Sequence, residues 1–333
     1  MNKYHVYGLG AALVDTEIEV SDQDLKTLQV DKGLMTLADS ARQQQLLSQL
    51  EGHLVAAKRA SGGSAANTII AASYFGADTF YSCKVAADEN GDFYLNDLES
   101  AGVNYHRTLF REMGDTGKCL VMITPDAERT MVTYLGISET LSTAELHGEA
   151  IAASEYLYLE GYLVTSETGR AAAIEAAQIA RANKTRVALS LSDPGMVQFF
   201  REGLLEMIGE QVDLLFCNRD EAMDFTDAQT IEAAAEKLKQ YAKCFAITLG
   251  AEGALVYDGT KTVRVGSEPV SALDTNGAGD MFAGAFLFAI THGHDFEQAA
   301  MLANRAAGKV VSQFGPRLRA EQHQEILQVP MPA

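Results

Sequence analysis

Residues 274–280 read Asp274-Thr275-Asn276-Gly277-Ala278-Gly279-Asp280, and the ten that follow, MFAGAFLFAI, are apolar and of helical length. Three small residues at 277–279 let successive backbone N–H groups face one point at the start of a helix. There the unpaired donors and the helix dipole favour an anion. Asp280 stands in the same turn, although a carboxylate repels a phosphate. Its place fits proton chemistry: it can accept the proton of a hydroxyl whose oxygen attacks a phosphoryl group, while the N–H cluster stabilises charge on the transferred oxygens. The same residues would also make a plain tight turn with an acid at the helix start.

Outward from this turn, apolar runs short enough for strands alternate with alanine-rich stretches long enough for helices. That pattern predicts an α/β fold, a mainly parallel sheet with helices on both faces. Core strands are expected at residues 5–8, 79–85, 156–160, 186–191, 213–217 and 245–248. Helices are expected at 65–75, 168–183, 230–241, 281–291 and 296–314. Several strands end just before Gly, Asp or Asn, at the carboxyl edge where open α/β sheets bind ligands. Two stretches, about 13–38 and 103–136, fit the alternation poorly. In the second, VNYHRTLF, KCLVMIT and RTMVTYLG read as antiparallel strands joined by turns. No repeat or low-complexity linker divides the chain, so residues 1–333 are expected to form one domain with a discontinuous lid.

The chain has 333 residues, 47% hydrophobic and 21% charged, as befits a globular protein with a substantial core. Acids outnumber bases 45 to 26, for a net charge of −19. Such a field repels polyanions, so nucleic acid and anionic membranes are not expected as partners, and any phosphate site must be local. Cys83, Cys119, Cys217 and Cys244 form no CxxC pair, which supports neither a disulfide framework nor zinc and fits a reducing cytoplasm. His292 and His294 lack a third ligand nearby and read as a polar helix-end loop. The N-terminus lacks the apolar core of a signal peptide, and no apolar stretch approaches the roughly 20 residues that span a bilayer.

The complete string DTNGAGD, between a strand and a helix, resembles the second signature of the PfkB, or ribokinase-like, carbohydrate kinase family. The GxxxxGK[ST] pattern of P-loop kinases is absent. Other stations along the chain carry the same likeness. Gly62-Gly63-Ser64-Ala65-Ala66-Asn67 resembles the first signature, its paired glycines letting a sugar ring approach and Asn67 offering a donor and acceptors to vicinal hydroxyls. Asp15, in GLGAALVDTEIEV, falls where the family places an acid for sugar hydroxyls. Asn218-Arg219-Asp220-Glu221 resembles the NxxE motif that acts near magnesium and the phosphates; the same residues would equally cap a helix.

The remaining stations concern the nucleotide and the lid. Thr248-Leu249-Gly250-Ala251-Glu252-Gly253 resembles the TLGxxG turn beside ATP, and Asn304 falls on the helix that flanks the adenine. Arg129, in DAERTMVTYLG, matches an arginine that reaches the phosphates.

The resemblance thus implies a ribokinase-like fold with a small β-sheet lid, and ATP-dependent transfer to an alcohol. It assigns the base to Asp280, the anion hole to Gly277, Ala278 and Gly279, and phosphate neutralisation to Arg129. Asp15, Gly62, Gly63 and Asn67 would hold the substrate. Asn218, Thr248, Gly250, Gly253, Thr275 and Asn304 would hold the nucleotide, and Glu221 would act on Mg²⁺, through water. Some relatives depend on a monovalent cation, and the loops after Asp274 and around Ser312 to Gly315 would be the place for K⁺.

Within the family, GLGxALVD, GGSAANT and ERTMxTYLG are most similar to the adenosine-kinase-like branch of nucleoside and sugar kinases. Ala11 stands where that branch commonly has asparagine, and Val132 at a frequently polar lid position. Each replacement at a substrate-facing site would remove a hydrogen bond of about 0.5 to 1.5 kcal/mol. Such losses favour a different base or a plain sugar, so adenosine is a leading candidate only, with a free sugar such as ribose, fructose or a sugar acid as the alternative. A non-catalytic nucleotide or nucleoside sensor is the alternative of another class.

A phosphorylated acceptor would require cations, of which Lys32, Lys58, Arg59 and Arg107 are the candidates. Leu13, Leu34, Met35 and Val121 would wall a purine, fill the lid's own core or meet a second subunit. A single-layer lid has one face to cover, so both a monomer and a homodimer through the lid stay open.

Overall fold

The computed structural model describes residues 3–52, 58–108, 110–126 and 128–329. Its strands are β1 (Tyr4–Leu9), β2 (Leu13–Glu19), β3 (Met35–Leu37), β4 (Lys58–Gly62), β5 (Thr79–Ser82), β6 (Thr116–Ile123), β7 (Arg129–Gly136), β8 (Ser154–Glu160), β9 (Arg186–Ser190), β10 (Val212–Asn218), β11 (Ala242–Thr248), β12 (Ala254–Tyr257) and β13 (Thr262–Val265). Eight of them form the main sheet, in the order β13-β12-β11-β10-β9-β8-β1-β5. Its pairs are parallel from β5 through β11, and β12 and β13 add an antiparallel edge. The fold is α/β, as the alternation of short apolar runs with alanine-rich stretches predicts.

The strands alternate between two cores. Val6, Tyr156, Tyr158, Ala188, Leu214, Phe216 and Ala246 face one helical layer, and Tyr7, Leu9, Leu157, Leu159, Leu189, Leu215 and Ile247 face the other. In the first layer the helix Ala278–Thr291 is buried on all sides from Met281 to Ala289, between the helices Ser64–Phe75 and Phe296–Val311. Gly284 permits this approach, because a Cβ there would lie 2.5 Å from the Thr68 carbonyl oxygen. His292 ends that helix, its Nδ1 2.7 Å from the Phe288 carbonyl oxygen.

A second sheet of five strands has the order β3-β7-β6-β2-β4 and mixed direction. Its period-2 alternation is strict. Odd positions of β7 (Arg129, Met131, Thr133, Leu135) line a cavity, and the even position Val132 joins Ile18, Val20, Leu120 and Met122 in a separate core. That core is closed by Leu25 and Leu28 of the helix Asp22–Leu28 and by Leu46 of the helix Ser40–Gln49.

Three readings of this region change. The sheet is not a single exposed layer, since the chain's own two helices cover its outer face. Val132 does not face the substrate side, since it lies one residue out of phase with the cavity. Residues 103–110 form no strand among those described; Asn104 alone bridges to Phe80 beside β5, so the segment adds a single step to the main sheet's edge. The stretch 13–38 contains a helix as well, opened by a capping box between Ser21 and Asp24. Among the described residues, no helix is long and apolar enough to cross a membrane.

Candidate active site

Two cavities meet where the small sheet overhangs the carboxyl edge of the main sheet. Counting the open solvent at their mouths, the smaller encloses about 870 Å³ of empty space and the larger about 2340 Å³. Arg129, Ser192 and Asp280 line both. Asp280 therefore stands on the shared wall. It enters from the first turn of the helix Ala278–Thr291, whose N-cap Gly277 has φ of 73°. A side chain at Gly277 would run into Pro316, with its Cβ 2.3 Å from the Pro316 carbonyl oxygen.

The Asp280 carboxylate is aimed by two side chains. Ser64 Oγ donates to Oδ1 at 2.6 Å, and Asn67 Nδ2 donates to Oδ2 at 3.1 Å. Burial raises its pKa above the usual aspartate value, opposed by these two bonds and by the charge of Arg129. The turn itself is fastened by Asp274, which is fully buried and accepts from the Asn276 and Gly315 amides, both at 2.8 Å.

The smaller cavity takes Asp15, Gly63 and Asn67. Gly62 lies behind them, where any Cβ would strike the Asp15 carboxyl group at 2.1 Å, and Gly63 adopts φ of 98°, with the Ala11 carbonyl where its Cβ would be. Burial pushes Asp15 up to about 8, with Glu17 adding to the rise and Arg317 opposing it. Leu13, Met35, Leu37, Met131 and Leu135 supply an apolar wall. Leu34 is half exposed outside that wall, and Val121 packs with Cys119 and Ile123 in the sheet's inner layer.

One lining residue carries a signal that the sequence hides. Glu160, at the end of β8, accepts from the backbone N–H of Ala11 and of Ala65, each at 2.7 Å, and so joins the loop before β2 to the first turn of the helix Ser64–Phe75. Burial pushes it up to about 7, against those two bonds. In the sequence it is only the last residue of a strand.

The larger cavity collects Asn218, Glu221, Thr248, Gly250, Gly253, Thr275, Gly277, Ala278, Gly279 and Asn304. Their contacts divide them. Asn218 and Glu221 form a reciprocal cap, with Asn218 Nδ2 donating to Glu221 Oε1 at 2.7 Å and the Asn218 amide to Oε2 at 3.0 Å. Burial pushes Glu221 up to about 7. Asn304 is committed to the backbone, donating to the Val265 and Gly266 carbonyls at 3.0 and 3.2 Å. Gly253, at φ of 93°, sits where a Cβ would meet the Val265 carbonyl at 2.1 Å. Asp193 and Asp220 also face this space. Carboxylate and amide oxygens are the hard donors that suit a hydrated Mg²⁺ ion, and among the described residues no three acidic, His or Cys side chains gather into a metal cage.

The chain is similar to known kinases over most of its length. The model of the pfkB family of carbohydrate kinases matches residues 38–323. Adenosine kinase from Saccharomyces cerevisiae is 28% identical over 337 residues, 94% of this chain and 96% of that protein. Among solved structures, a probable sugar kinase from Rhizobium etli superposes with a TM-score of 0.92 at 31% identity, over 99% of this chain and 100% of that one. Adenosine kinase from Sinorhizobium meliloti superposes with a TM-score of 0.91 at 35% identity, over 97% and 99%. The family uses ATP and usually Mg²⁺, and the likeness to adenosine kinases sets this chain in their branch. With Asp280 between two cavities, a matched family model over most of its length and a ribokinase-like fold, the chain belongs to the pfkB family of carbohydrate kinases.

Proposed function

We propose that this kinase transfers the γ-phosphoryl group of ATP to a primary hydroxyl of a ribose-like sugar or nucleoside, with adenosine as the leading acceptor. The observation that carries the reading is Asp280 on the wall common to the two cavities, aimed by Ser64 and Asn67. ATP would occupy the larger cavity along Asn218, Thr248, Gly250, Gly253, Thr275 and Asn304, with the acceptor in the smaller. Asp15, Gly63 and Asn67 hold the ring there, and Gly62 keeps Asp15 in place.

Asp280 takes the hydroxyl proton as the oxygen attacks. A new O–P bond forms, the bond to the leaving ADP breaks, and the amides of Gly277, Ala278 and Gly279 receive the developing charge. Arg129 neutralises the phosphoryl group from the lid side. Asn218 and Asp220, and Glu221 through water, would hold Mg²⁺, which would neutralise charge on the phosphates when bound. Closure of the small sheet over the acceptor would exclude water from the transfer.

The apolar wall of Leu13, Met35, Leu37, Met131 and Leu135 supports a nucleoside over a free sugar, since hydroxyls find no partners there. A phosphorylated acceptor is disfavoured. Among the described residues of the smaller cavity, Arg129 is the one cation and Asp15, Glu160 and Asp280 are carboxylates. Lys32 is engaged with Asp22 and Asp126, and Arg107 with Glu99; the side chains of Lys58 and Arg59 lie outside what the structure describes.

The test is ADP release over a panel of nucleosides, free sugars and sugar phosphates. Acceptor-dependent release with adenosine supports the reading, release with ribose or fructose alone moves it to the sugar alternative, and nucleotide binding without release moves it to a sensor.

A further inference from the structure

Asn276, the third residue of the Asp274–Asp280 turn, makes contacts that the proposed mechanism does not use. Asn276 is 5% exposed and lines the smaller cavity. Its Oδ1 accepts from Arg129 Nη1 at 3.0 Å, across 147 residues. A guanidinium only donates, so this bond fixes which end of the amide is oxygen. The other end, Nδ2, is buried and has no hydrogen-bond partner among the described residues. The backbone cannot turn it away, because the Asn276 amide is itself bonded to Asp274. A buried donor without a partner is costly, so few survive in folded proteins without a purpose.

We propose that Asn276 is a further catalytic residue: its Nδ2 donates to an oxygen of the phosphoryl group in transit, while its Oδ1 steadies Arg129 beside the same group. This rests on the phosphotransfer reading above. Asn276 lines the acceptor cavity and is absent from the wall of the nucleotide cavity. Its donor would therefore meet the phosphoryl group from the acceptor side, as that group leaves ADP for the acceptor oxygen. An interaction made in the transition state and not in the bound nucleotide raises turnover and leaves nucleotide affinity alone. The amide gains and loses no proton, since the hydroxyl proton goes to Asp280.

Asn276→Ala should lower kcat by about 10²-fold, the usual effect of losing one preorganised donor to a developing oxyanion, with the Kd for ATP within twofold of the parent. Asn276→Asp separates donation from positioning. It is isosteric and keeps an acceptor for Arg129, but replaces the donor with a negative charge, so its kcat should fall at least as far. Adding Asn276→Ala to Arg129→Ala should slow the enzyme further, because the donor acts in its own right. Near-parental kcat in Asn276→Asp, or no additional loss in the double variant, would overturn the assignment. Nucleotide binding measured directly confirms that each variant is folded. A parental protein without acceptor-dependent ADP release would instead overturn the kinase reading, and this inference with it.

Discussion

Ser64 Oγ reaches the Asp280 carboxylate at 2.6 Å across 216 residues of chain. This bond joins the first turn of the helix Ser64–Phe75 to the first turn of the helix Ala278–Thr291, and both helices belong to the same buried layer. The residue assigned as base is thus set by packing between helices as much as by its own turn.

Asp280→Asn should keep ATP binding and lose acceptor phosphorylation by 10²- to 10⁴-fold or more, the range expected for a missing general base. A coupled assay of ADP release, alongside direct measurement of ATP binding, checks this. Near-parental turnover would remove Asp280 from the mechanism.

Activity should also report the Asp280 ionisation. The carboxylate must be unprotonated to accept a proton, so kcat/KM should fall as pH drops through a pKa above the ordinary aspartate value. Ser64→Ala removes a bond that favours the charged form. At about 1.5 kcal/mol for a hydrogen bond to a charged group, the acid limb should shift upward by about one pH unit. A pH–rate profile of both proteins decides it, and an unmoved limb would mean that Ser64 does not tune the base.

Stability should run the other way with pH. Asp15 and Glu160 are pushed up to about 8 and about 7 in the folded state, mainly by burial. Between the unfolded pKa near 4 and those values, the folded protein binds more protons than the unfolded chain, so its stability falls as pH rises. Without ligands, Tm should be higher at pH 5 than at pH 8. A flat or rising Tm over that interval would contradict the burial of both carboxylates.

The apolar wall offers a test of acceptor class. Met131→Asp places a charge among Met35, Leu37 and Leu135, where a base would lie. KM for adenosine should rise at least tenfold, while any ribose phosphorylation changes little, since the ring is held at Asp15 and Asn67. Equal losses for both acceptors would place the base elsewhere.

A dependence on K⁺ would belong to the loops joined by Asp274. Its carboxylate bonds the amides of Asn276 and Gly315, which brings together the carbonyl-bearing turns on either side. Activity in K⁺ should exceed activity in tetramethylammonium at equal ionic strength; equal rates would dismiss the dependence.

Much of this arrangement is legible in one dimension because it is local. The turn at Gly277 to Gly279, the paired glycines at 62 and 63, and the cap of Asn218 and Glu221 each need particular residue types at fixed short spacing. The alternation of short apolar runs with alanine-rich helices is similarly local, and it determined the α/β class. Contacts made between distant segments have no such trace. Glu160 holding the amides of Ala11 and Ala65, Asn276 holding Arg129, and Val132 turned away from the cavity that Met131 and Thr133 line all depend on how the small sheet sits over the main one.

The amino-acid order thus determined which chemical groups are available and the local turns that present them. The tertiary structure alone decided which of them share a cavity, which are consumed by one another, and which face is covered by the chain itself. The physical reason is that hydrogen bonds and burial act over a few ångströms of space, whatever length of chain separates the partners.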